Sequence, residues 1–83
     1  MSDQNKLAIL RVLSENAKLG EVTRMGFHTL SKTVDLSKEE LDPLLVQLNK
    51  DRFISQYAKK GVDGFTLVLN QKGLDAVEDE SFI

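Results

Sequence analysis

LSKEELDPLLVQLNKDRFI, residues Leu36 to Ile54, holds a helix start, an apolar face and an exit into a strand. Leu41, Leu44, Leu45 and Leu48 recur at i, i+3, i+4 and i+7, which places all four on one side of an α-helix. Ser37 stands four residues before that face begins, and Glu40 follows Ser37 by three. This spacing predicts a capping box, in which the serine oxygen and the glutamate each accept from an otherwise orphaned backbone N–H. Beyond Arg52, Phe53 and Ile54 lead into a run of period two.

That run alternates Ile54, Gln56 and Ala58 with Ser55, Tyr57 and Lys59, and a second alternates Phe65, Leu67 and Leu69 with Thr66 and Val68. Lys60-Gly61-Val62-Asp63-Gly64 lies between them, and two glycines with an Asp-Gly pair predict a β-hairpin turn. Working back towards the N-terminus, Phe27, Leu30 and Val34 space out a short second helix over roughly Thr29 to Val34. Glu21 to Met25 is a connection in which Val22 fits a very short strand, with Arg24 outward and Met25 under the second helix. Ile9, Leu10, Leu13 and Ala17 give the first helix one apolar face, with Ser2 or Asp3 as its cap and Lys18 and Gly20 as stop signals. At the other end Leu74 and Val77 predict a last short helix, capped by Asn70 and packed on the first.

Eighty-three residues make one domain near the lower limit of what folds without staples, and no cysteine is present to supply them. No apolar run approaches the roughly 18 residues of a membrane span. No signal peptide is visible, so a cytoplasmic protein is expected. The last ten residues hold four of the 13 acids and none of the 11 basic residues, leaving residues 1–73 with a net charge of +2. A slightly basic body with an acidic tail is compatible with nucleic acid without requiring it.

Nothing in the chain has the spacing of an enzyme. The single histidine, His28, has no companion ligands, Glu39 and Glu40 point about 100° apart on a helix, and Gly61 and Gly64 read as turn glycines. No metal and no cofactor are expected.

Ile9 to Leu13, Phe27 to Ser37 and Leu69 to Val77 each match a local pattern, and in this order the elements resemble winged helix-turn-helix domains of small prokaryotic and archaeal transcriptional regulators. Leu69-Asn70-Gln71-Lys72-Gly73-Leu74-Asp75-Ala76-Val77 is similar to the Leu-Thr-x-x-Gly-x-x-Ala-Leu ending of many such proteins, with Asn70 in place of threonine. The resemblance spans residues 7–77. It implies an α+β fold, a single winged helix-turn-helix domain over 1–77 with a three-helix core, a two- to three-stranded antiparallel wing, a short C-terminal helix and an acidic tail over 78–83.

The same resemblance implies a regulator-like module that contacts duplex DNA through the wing and the third helix. Lys38, Gln47, Lys59, Lys60, Lys32 and Arg24 are the contact candidates. The third helix fits this poorly, because Glu39, Glu40 and Asp42 would repel phosphates, while counterion release depends on Lys and Arg. Pro43, where relatives often carry arginine, removes a donor, and Val46 adds an apolar spot. The alternative is a protein-interaction module using Glu39, Asp42, Pro43 and Val46 without DNA. A homodimer is also expected to be possible, through the first helix or through Phe82 and Ile83 in the tail.

Overall fold

The computed structural model describes residues 2–79, with side chains from Gln4 onward. The Ser2 and Asp3 side chains, expected as caps, and the Phe82–Ile83 end lie outside the described residues. The elements run α1 (Ser2–Asn16), β1 (Val22–Gly26), α2 (Phe27–Val34), α3 (Lys38–Lys50), β2 (Ile54–Lys60), β3 (Gly64–Leu69) and α4 (Gln71–Asp79). The three strands form one antiparallel sheet in the order β1-β3-β2, which makes this a small α+β domain. Among the described residues no helix is long and apolar enough to cross a membrane.

α3 begins as its sequence predicts. Ser37 Oγ accepts from Glu40 N at 3.2 Å, and Glu40 Oε1 accepts from Ser37 N at 3.3 Å. Leu41, Leu45 and Leu48 are fully buried, each worth about 1.5–3 kcal/mol of apolar transfer. Leu44 is only half-buried: it lies about 60° round the helix from Leu41, away from the line of the other three. Pro43 lies inside α3 and removes the donor that Glu39 O would otherwise receive.

The core under α3 is built by Ile9, Leu10 and Leu13 of α1, Phe27 and Leu30 of α2, and Ile54, Phe65, Leu67 and Leu69 of the sheet. Phe27 and Phe65 meet with ring centroids 4.8 Å apart. α4 returns onto α1 through buried Gly73 and Ala76, flanked by half-buried Leu74 and Val77. Gly73 is required by a close approach, since a Cβ there would overlap the Phe53 carbonyl oxygen and lie 2.9 Å from Leu69 Cδ1. Asn70 was expected to cap α4 with its side chain. Its carbonyl does accept from Leu74 N, but its amide joins Ser55 Oγ to the Arg52 carbonyl instead.

β2 departs from the simple alternation. The register to β3 shifts between Ser55 and Ala58, and Gln56 has φ 54°, the left-handed region. This bulge inserts one residue and reverses the facing of the strand beyond it. Gln56 is therefore exposed, and Tyr57 turns to the core side, its ring edge-on to Phe65 at 5.9 Å. Val68, opposite Ser55 and Val22, is buried although its alternation placed it outward.

Candidate nucleic-acid interface

Only three residues, 61–63, separate β2 from β3, and Gly61 takes φ 67° to close the turn. At this end of the hairpin Gly64 pairs with Gly26 on one side and with Lys60 on the other, while Thr66 pairs with Arg24 and Ala58. Directly opposed residues in an antiparallel sheet share a face, as do residues two apart. Arg24 and Lys60 therefore lie on the same outer face. The Arg24 guanidinium lies across Gly64, its Nε and Nη2 each 3.6 Å from where a Cβ on that glycine would stand.

Lys59 points the other way, towards α3. Its Nζ lies 3.4 Å from Asp42 Oδ2, and the Tyr57 hydroxyl donates to Asp42 Oδ1 at 2.7 Å. The Tyr57 hydrogen bond holds the Asp42 carboxyl below its ordinary range against the opposing effect of burial, with Lys59 and Lys38 adding to the lowering. Burial, and then the hydrogen bond to Asp42, push the Tyr57 phenol above its usual value. Lys38, Glu39, Asp42 and Lys59 together line an open depression of about 320 Å³.

The turn itself is fastened to both helices. Lys38 Nζ donates to the Val62 carbonyl at 2.9 Å and lies 5.2 Å from the Phe27 ring centre. Phe27 N donates to Asp63 O at 2.6 Å, and His28 N donates to Asp63 Oδ2 at 3.2 Å. Gly26, at the N-cap of α2, makes no side-chain cap, so Asp63 supplies one from 35 residues away from His28.

The six cations and amides expected on nucleic acid therefore fall into two groups. Lys38 and Lys59 have internal partners, and Gln47 Nε2 donates to Asp51 Oδ2 at 2.9 Å, away from a groove-reading role. Arg24, Lys32 and Lys60 are exposed and make no ion pair among the described residues. On α3, Glu39, Pro43 and Val46 are exposed, with Val46 at 50%. Asp42, expected to join them in meeting a partner, is half-buried, as is Asn49, whose Oδ1 accepts from Tyr57 N of β2.

No family model, no curated protein and no solved structure matches this chain. Function has to be read from the side chains alone. Asp63 and Tyr57 escaped the sequence-based reading. The signal for Asp63 was Gly26 standing before Phe27 with no capping side chain; for Tyr57 there was none, because its facing depends on the bulge.

Proposed function

We propose that the chain is a winged helix-turn-helix module that binds the sugar-phosphate backbone of duplex DNA, in the manner of a transcriptional regulator. The order of elements supports this, with β1 beside β3 and α2 joined to α3 through Asp35, which takes φ 58°. The observation that carries the proposal is the placement of Arg24 and Lys60 on one outer sheet face, either side of β3, both exposed and without internal partners among the described residues. Lys32 on α2 adds a third open cation.

Contact is made mainly by this sheet rim and less by α3, whose first turn presents Glu39 and Glu40. Three neutralised phosphates give a log K against log salt slope of about −2.7. Fluorescence anisotropy of a labelled duplex over a salt series tests it. Binding should weaken with that slope and be lost in Arg24→Glu/Lys60→Glu. Undiminished binding by the double variant would refute the assignment.

The exposed strip of Glu39, Pro43 and Val46 favours a second reading, a protein-interaction module in which α3 meets a partner. In that case no duplex binding occurs at low salt. Val46→Glu would then abolish the partner contact while stability changes little, since Val46 is half exposed.

A further inference from the structure

Of the two hairpin lysines, one is open and one is held. Lys60 extends from the outer sheet face, whereas Lys59 meets Asp42 of α3, whose other oxygen is fixed by the Tyr57 hydroxyl. Asp42 occupies one side of the Lys59 ammonium, at 3.4 Å, in the depression that Lys38 and Glu39 also line. Tyr57 keeps the carboxylate from rotating away, and the phenol is itself half-buried against Phe65. The carboxylate is a fixed competitor, because it comes from the chain itself and is always present.

Resting on the DNA-binding reading above, we propose that Asp42 acts as an internal phosphate mimic that withholds Lys59 from the nucleic acid and so sets a low affinity. The pair is solvent-facing, with the Lys59 side chain 60% and the Asp42 side chain 33% exposed. Such pairs are weak and exchange readily, so Asp42 lowers affinity without abolishing binding. Its removal has two effects: one acid no longer repels the backbone, and one lysine is released to contact it.

The test is duplex binding by anisotropy over a salt series for wild type, Asp42→Asn, Glu39→Gln and Asp42→Asn/Lys59→Ala. Asp42→Asn should bind roughly three- to tenfold more tightly at low salt, about what one net hydrogen bond contributes. Its salt slope should steepen by about 0.9, the signature of one further phosphate contact. Glu39→Gln removes the same charge from an exposed position that holds no lysine, and should leave the slope unchanged. Adding Lys59→Ala should cancel the gain of Asp42→Asn.

Two further variants require no change at Asp42 and do not endanger the fold, because both lysines are exposed. Lys59→Ala in the wild-type chain should weaken binding less than Lys60→Ala does. Detectable binding by Asp42→Asn where wild type shows none would also support the proposal. Equal affinities for Asp42→Asn and wild type, or a gain equal to that of Glu39→Gln, would overturn it and leave the Arg24/Lys60 test of DNA binding standing. No binding by any of these proteins would overturn both.

Discussion

Replacing Asp63 by alanine removes a helix cap that the helix does not contain. The backbone bond from Phe27 N to the Asp63 carbonyl survives the substitution, but the bond from His28 N to Asp63 Oδ2 does not. Loss of a capping side chain costs about 1 kcal/mol, and loss of a carboxylate at a helix N-terminus about a further 0.5 kcal/mol. His28 is exposed, so water reaches the freed N–H and keeps the total near 1.5 kcal/mol. For a domain of this size that lowers Tm by roughly 6–12 °C. Asn at the same position retains the acceptor and loses only the charge, so it should cost about a third as much. Urea unfolding with an unchanged m-value is the appropriate assay, and amide exchange at Phe27 and His28 shows whether the loss is local. An Asp63→Ala protein within about 0.5 kcal/mol of wild type, the scatter of ordinary surface changes, would refute the trans-capping account. So would Asp63→Asn being as damaging as Asp63→Ala.

Four other perturbations have definite expected outcomes. Gly73→Ala should destabilise by about 2 kcal/mol despite alanine's helix preference, because the Phe53 carbonyl cannot yield to a new Cβ; equal or higher stability in a urea melt would contradict the close approach. Gln56→Gly should raise stability by up to about 1 kcal/mol by relieving a left-handed residue, and a clear loss would show that the Gln56 side chain is needed. Tyr57 is the only tyrosine, so tyrosinate absorbance reads it alone. Its folded-state pKa is raised above the reference 10.0, so the unfolded chain ionises first and stability falls as pH rises past about 10. Tyr57→Phe should lose that alkaline decline. Asp42 has the opposite sign: its lowered carboxyl contributes stability that is lost as pH falls below the reference 3.8 towards its folded value.

The elements set by local spacing were legible in the sequence. Ser37 and Glu40 form the predicted capping box, Gly61 to Asp63 form the predicted turn, and Val22 opens the expected strand, β1, which pairs with the central strand β3 over five residues. α2 starts at Phe27 and not near Thr29, because its first N–H groups are satisfied by Asp63, which no local pattern connects to it. The facing of β2 was illegible for a different reason. Glutamine carries no signature of a left-handed bulge, and one inserted residue at Gln56 is enough to carry Tyr57 from the open face to the core side.

The candidate site was legible in its composition but not in its pairing. Lys38 to Val62 and Lys59 to Asp42 are separated by 24 and 17 residues, and only the folded chain decides which lysines find acceptors within it. Arg24 and Lys60 share a face through β3, which pairs with both of their strands. In the linear chain all six contact candidates look alike. The fold separates three exposed cations from three side chains already occupied.

Residue-resolved NMR titration with a short duplex at low salt tests DNA binding through the sheet rim most directly. Shifts should concentrate at residues 22–26 and 58–66 with a smaller set on α2 around Lys32, all reversed by added salt. No shifts, or shifts centred on Glu39, Pro43 and Val46, would contradict it.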